Sequence, residues 1–287
     1  MKITVAPSAG FCFGVRDAVN MALETTAENA DRPVQMLGHI VHNERVVEEI
    51  DDAGVKVLDN IEQADPGVLM IRAHGTSPKI YDQANERGMD IVDATCPLVL
   101  DTHVKIRQLS DDGYPTLVIG DHGHDEVVGI SAQVADARIV ANPEEVDQLG
   151  RRFRKLGVVV QSTQNIDNVN AILAKLLPRC QELRVHNTIC HPTVQHQADI
   201  LTMPAKNDVM VIVGSFTSAN TMRMADMSKT QNQRSYQLED SEQIEEAWFE
   251  GAQTVGVHAG ASTPDVVIEE VIARLKEIGG PDTLVDR

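Results

Sequence analysis

The sequence predicts an α/β protein built on parallel sheets. Short runs rich in Val, Ile and Leu alternate with longer segments of helical character, the pattern of βα units. Three cysteines, roughly ninety residues apart, each close a β-like run after a short polar turn. The chain has 287 residues and 42% of them are hydrophobic, enough to bury a sizeable core.

The elements follow in order. MKITVAP reads as a strand that leads to Cys12, and RDAVNMALETTAENA (16–30) reads as a helix. VLMIRAHG (68–75) is short and apolar enough to be a buried strand, and SPKIYDQANERG (77–88) continues as helix. DIVDATCPLV (90–99) brings a strand to Cys96, with Pro97 directly after it. TLVIGDHG (116–123) and LGVVVQST (156–163) are further strands, and ELRVHNTIC carries another to Cys190. VMVIVGS (209–215) and TVGVHAG (254–260) complete the strand set. PDVVIEEVIARLKEIGG (264–280) is a helix with proline at its start and glycines at its end. RRFRK (151–155), the densest basic run, reads as a solvated helix face, and PDTLVDR as a loose tail. The layout of strand, polar turn, helix and Cys-closed strand repeats better than the letters do, so the chain reads as three α/β units.

Composition removes several function classes. A net charge of −18 disfavours binding to a nucleic-acid backbone, and 3% aromatics leave no stacking platform for single strands. No apolar run reaches membrane-spanning length, and the N-terminus shows no signal peptide. Four cysteines fit neither a disulfide scaffold, a zinc finger nor a CxxC pair, so reduced thiols in a cytoplasmic setting are the default.

Ligands of parallel α/β sheets bind beyond the carboxyl ends of the strands. Those ends carry His74 and Thr76, then His122, His124 and Glu126, then Gln161, Ser162 and Thr163, then Ser215, Ser218 and Asn220, then Ser262. GHIVHNE (38–44) adds His39 and His42. Small hydroxyl and amide side chains beside helix starts donate to anions, and histidines add charge near neutral pH. The set suits a compact, highly charged ligand such as a diphosphate. Taken singly, such a Ser is an N-cap, a loop His is structural and a Cys ending a strand is a small buried hydrophobe. Their co-occurrence points to a shared site. Three thiolates can hold zinc or an iron–sulfur cluster, and three widely separated ligands favour the cluster. The alternative is a Cys/His metal-dependent phosphoester hydrolase, against which the use of three similar thiols counts.

GFCFGV, VHN, AHGT, DATCPLV, GHDEVVG, NTIC, SAN and GAS, in this order, resemble the 4-hydroxy-3-methylbut-2-enyl diphosphate reductase family over about residues 1–280. The resemblance implies a trefoil of three α/β domains around a central iron–sulfur site. The domains would span 14–97, 98–190 and 191–280 joined by 1–13, with 281–287 as a tail. It implies that Cys12, Cys96 and Cys190 ligate a 4Fe-4S cluster whose fourth iron is open to substrate. His42, His74, His124, Ser162 and Thr163 would contact substrate, with Ser218, Asn220 and Ser262 on its diphosphate. Glu126 would supply protons, with His124 and Ser162 beside it, in a reductive dehydroxylation that gives isopentenyl and dimethylallyl diphosphate. No G-x-G-x-x-G opens a helix, so electrons would come from a ferredoxin or flavodoxin. Two positions depart from the family pattern, Ser162 standing where Thr is usual and Ala219 where Ser is frequent, and the segment HPTVQHQ (191–197) is less typical. Cys180 reads as a thiol at a helix end, outside the ligand set. A chain that kept only the cluster would be an iron–sulfur sensor, and Glu126 with the histidines argues against that.

Overall fold

The computed structural model describes residues 1–150 and 152–287. The first third runs β1 (Lys2–Val5), α1 (Phe13–Glu28), β2 (Val34–Leu37), α2 (Glu44–Asp52), β3 (Val55–Leu58), β4 (Val68–Ile71), α3 (Pro78–Glu86) and β5 (Asp90–Asp93). The second runs α4 (Pro97–Asp111), β6 (Thr116–Ile119), α5 (Asp125–Ser131), β7 (Arg138–Val140), α6 (Pro143–Gln148), β8 (Phe153–Val160), α7 (Ile166–Leu176) and β9 (Cys180–His186). The last runs α8 (His191–Thr202), β10 (Val209–Val213), α9 (Ala219–Gln231), β11 (Ser235–Leu238), β12 (Thr254–Ala259), α10 (Asp265–Gly279) and β13 (Leu284–Asp286).

The strands form three sheets, β11-β10-β12-β1-β13, β3-β2-β4-β5 and β7-β6-β8-β9, and the described pairings are all parallel. The predicted α/β class with parallel sheets is what the chain adopts. One wiring recurs: within each sheet the first two strands of the unit lie in reversed order, then come the third and fourth. The fourth strand is β5, β9 or β1, the strand that precedes a predicted ligand cysteine. In the last sheet this place is taken by β1, from the opposite end of the chain.

Two compact units contain these sheets. The first comprises Met1–Val15, His42–Val46 and His191–Arg287, and the second Arg16–Val41 and Val47–Cys190. In the first unit, Ile3, Val5, Val211, Val213, Val255 and Val257 pack against Val267, Ile268, Val271, Ile272 and Leu275 of α10. The spacing of those α10 residues makes one apolar stripe, which is why the segment is a helix with one buried face. The other face of that sheet, through Met210 and Ile212, meets Ile200 of α8 and Met224 of α9. In the second unit, Val158 and Val160 of β8 face α6 and α7, while Val159 faces α4 and α5. Side chains alternate across a strand, so burial on both faces demands an unbroken apolar run. Complete burial of each such side chain contributes about 1.5–3 kcal/mol.

Two expectations are corrected here. Arg152 precedes β8 and Phe153–Lys155 open it, so the basic run is the entry to a strand and not a helix face; Arg151 lies outside the described residues. The expected loose tail holds β13, which pairs with β1 through Lys2↔Leu284, Ile3↔Val285 and Thr4↔Asp286.

Candidate functional site

The three related cysteines share one local construction. Cys12, Cys96 and Cys190 each immediately precede the first residue of a helix, α1, α4 and α8 respectively. Each is half-buried. Each backbone N–H donates to a carbonyl just beyond the neighbouring strand: Cys12 to Ala261 at 3.2 Å, Cys96 to Ala73 at 3.0 Å and Cys190 to Ser162 at 3.0 Å. A thiol in that position lies at the positive end of a helix dipole, which favours the thiolate. Pro97 after Cys96 lacks an N–H that a first helical residue does not use. Cys180 is built differently. It opens β9 after a short 3-10 turn, packs beside the apolar core of its sheet, and burial pushes its thiol pKa up.

Within the second unit the predicted residues form one connected network. His124 caps α5, its Nδ1 accepting the Glu126 N–H at 3.2 Å. Glu126 is 2% exposed. Its Oε1 accepts the Ser162 N–H at 2.6 Å and its Oε2 accepts the Ser162 hydroxyl at 2.7 Å. The Ser162 carbonyl in turn receives the Cys190 N–H. His74 and His124 meet edge to face with ring centroids 5.6 Å apart. Helix dipole alone would account for an acid in the first turn of α5, but it does not account for a buried carboxylate gripping two donors of one serine. Thr163 Oγ1 accepts from the Gln161 side-chain amide at 3.1 Å.

Within the first unit, the Ser262 hydroxyl donates to the His42 carbonyl at 3.1 Å. Ser218 caps α9, accepting the Thr221 N–H at 3.4 Å, so the bland N-cap reading of this serine also holds. Asn220 is 5% exposed, and its side-chain Nδ2 has no hydrogen-bond partner among the described residues. Gly260 lets the loop after β12 approach the first turn of α9, since a Cβ there would lie 2.1 Å from Thr221 Oγ1. Ala219, the first residue of α9, is buried.

Further residues complete the second unit's network. Gln161 is fully buried and accepts the Asp121 N–H at 2.9 Å, which ties the loop carrying His124 to the loop carrying Ser162. Arg72 pairs with Asp125 at 2.6 Å, joining the end of β4 to the start of α5. The signal was present, a positive charge two residues before His74 and a negative one between His124 and Glu126, but their partnership is not readable across 53 residues. His122, left unassigned from sequence, bonds Glu145 at 2.8 Å. His103 is 4% exposed on α4, and burial lowers its pKa to about 4.

Comparison with known proteins places this architecture. A family model described as LytB protein matches residues 3–276. The 4-hydroxy-3-methylbut-2-enyl diphosphate reductase of Pelobacter propionicus is 40% identical over 279 residues, covering 97% of this chain and 99% of that protein. The protein of the same name from Geobacter metallireducens is 37% identical over 283 residues, 99% of this chain and 100% of its own length. A solved (E)-4-hydroxy-3-methyl-but-2-enyl diphosphate reductase, described as the terminal enzyme of the non-mevalonate pathway, superposes with a TM-score of 0.71 at 33% identity, over 96% of this chain and 99% of that one. The E-1-hydroxy-2-methyl-but-2-enyl-4-diphosphate reductase of Plasmodium falciparum superposes with a TM-score of 0.89 at 25% identity, over 99% and 92%.

Proposed function

This chain belongs to the LytB protein family, and we infer from that membership that it carries out the reaction for which its relatives are named. It is an oxidoreductase that reduces 4-hydroxy-3-methylbut-2-enyl diphosphate. The observation that carries the site assignment is the buried Glu126 carboxylate bonded to both donors of Ser162, with His124 capping the same helix. Loss of the allylic hydroxyl as water consumes two electrons and two protons and yields isopentenyl or dimethylallyl diphosphate. Protons pass along side chains, and Glu126 with the Ser162 hydroxyl forms a path for them. His124 and His74 orient the hydroxyl end of the substrate.

Ser218, Asn220 and Ser262, with His42, hold the diphosphate. A buried amide with an unused donor has a strong claim on an acceptor, and a phosphate oxygen meets it. Ala219 supplies no hydroxyl here. A hydrogen bond to a charged group is worth about 1.5–3 kcal/mol, so the substrate binds more weakly than with Ser at that position.

The donor set also fits an iron–sulfur cluster. Cys12, Cys96 and Cys190 offer soft sulfur ligands, each at a helix N-terminus and each held by the same backbone hydrogen bond. These three would hold a 4Fe-4S cluster, which when bound supplies electrons and leaves one iron open to a substrate oxygen. A ferredoxin or flavodoxin in a cytoplasmic setting is the electron donor in this reading. Among the described residues no helix is long and apolar enough to cross a membrane.

The test is anaerobic reconstitution with iron and sulfide, followed by substrate and a strong reductant. A four-iron Mössbauer signature with one distinct iron that shifts on adding substrate, together with product, supports the reading. Stoichiometric zinc without iron overturns it. Glu126→Gln should bind substrate and lose turnover; unchanged turnover removes Glu126 as the proton source.

A further inference from the structure

The segment that delivers Cys12 is laid along the extension of β12. Ala6 N–H donates to Val257 at 2.8 Å, Gly10 to Ala259 at 3.4 Å and Cys12 to Ala261 at 3.2 Å. Gly10 has φ +98°, and a Cβ there would come 3.0 Å from Asp265 Oδ1 and from Ile268 Cδ1, so this turn favours glycine. Between the first two of these bonds lies a polar cluster with no place in the reaction. Asp199 Oδ2 accepts the Ser8 hydroxyl at 2.6 Å and the Ser8 N–H at 3.2 Å. His258, fully buried on β12, presents its Nε2 to Ser8 Oγ at 3.4 Å and to Asp199 Oδ2 at 3.8 Å. Its Nδ1 accepts the Ala259 N–H at 2.7 Å and lies 3.1 Å from the Ala259 carbonyl. Ser8 Oγ–H donates to the Asp199 carboxylate, and the same oxygen faces His258 Nε2. His196, 1% exposed, lies against His258 with ring centroids 5.2 Å apart. His196 belongs to the HPTVQHQ segment, and Asp199 follows on the same helix, α8.

We propose that Asp199 and His258 are positioning residues for Cys12, acting through Ser8 to fix the chain that presents its thiol. The carboxylate grips both polar groups of Ser8, and the histidine bonds the same hydroxyl from the sheet side. Residues 6–12 are thereby pinned between α8 and β12. The proposal rests on the reading of Cys12 as a cluster ligand, but its first test does not need the cluster.

Iron-free chain is treated with iodoacetamide, and modification of Cys12 is followed by peptide mass spectrometry with Cys180 as internal reference. Ser8→Ala and Asp199→Ala each remove two of the cluster's hydrogen bonds and are expected to raise the Cys12 rate by at least about fivefold, the worth of a single such bond, and to leave Cys180 unchanged. Ser8→Thr keeps the hydroxyl and should restore the parent rate. Iron and sulfide retained after anaerobic reconstitution should fall in the same two variants. A Cys12 rate within about twofold of the parent in both alanine variants, at unchanged melting temperature, overturns the proposal. Should the alanine variants unfold, both cysteines accelerate together, and equal Cys12 rates in Ser8→Thr and Ser8→Ala then overturn it. A parent chain that takes up no iron would defeat the cluster reading alone.

Discussion

Ser162→Ala removes a single oxygen, and its consequence can be worked from the geometry. The hydroxyl donates at 2.7 Å to a Glu126 carboxylate that is 2% exposed, while the backbone N–H of the same residue donates at 2.6 Å to the other oxygen. The substitution leaves the backbone bond and deletes the hydroxyl one. A hydrogen bond to a charged group is worth about 1.5–3 kcal/mol. At about 1.4 kcal/mol per tenfold in rate, that is a loss of about 10- to 150-fold in kcat/KM if the bond is used in the transition state. Ser162→Thr retains the hydroxyl and should stay within about threefold of the parent, the added methyl being its only change. The assay is steady-state turnover of reconstituted enzyme with a chemical reductant, alongside chemical denaturation to show that each variant is folded. An alanine variant with kcat/KM within about twofold of the parent would refute the claim that Ser162 and Glu126 act as one group.

Acid should unfold the chain through its buried histidines. Burial lowers His103 and His258 to about 4 and His196 to about 3, from 6.5 in the unfolded chain. Their neutral forms support the fold fully above pH 6.5, and that support is lost as pH falls toward 4, by about 3 kcal/mol each for His103 and His258. His103→Gln should flatten the stability profile in that window, as urea titrations from pH 7.5 to 4.5 would show. Cys180→Ser should retain the full iron content of the parent, whereas Cys96→Ser should lose most of it; equal iron in both would remove Cys96 as a ligand. Arg72 and Asp125 are partly buried at 20% and 29% side-chain exposure, so a double-mutant cycle with Arg72→Gln and Asp125→Asn should give a coupling of about 1–2 kcal/mol in stability. A coupling near zero would mean the pair does not anchor α5.

The sequence made legible what is periodic or chemically rare. VLMI, TLVI, VMVIV and the tract ending in GVVV stand out because both of their faces are buried and no polar residue interrupts them. Cys12, Cys96 and Cys190 stood out by their surroundings, and each directly precedes a helix. Edge strands were hidden. Arg138–Val140 and Leu284–Asp286 have only three residues and are incompletely buried, so their apolar signal does not rise above that of a loop. RRFRK misled for a related reason, since the alternation that marks a strand begins only at its last residues. The link from Glu126 to Ser162 spans 36 residues and depends on β6 and β8 being neighbours, which no local pattern encodes. Asp199, Ser8 and His258 illustrate the same limit over longer separations.

The placement of β1 between β12 and β13 imposes an order on synthesis. Lys2 pairs with Thr254, so the strand that carries Cys12 leaves the ribosome some 250 residues before its partner exists. At about 5–20 residues per second it waits on the order of tens of seconds with no sheet to join. Closing so long a loop also costs about 5 kcal/mol of chain entropy, which only the assembled C-terminal sheet offsets. Cys96 and Cys190 are delivered by strands whose partners are made within the same stretch of chain, and their sheets can close early. The nascent protein thus holds its first cysteine in reserve until residues 254–257 have been made and the oldest strand can find its place.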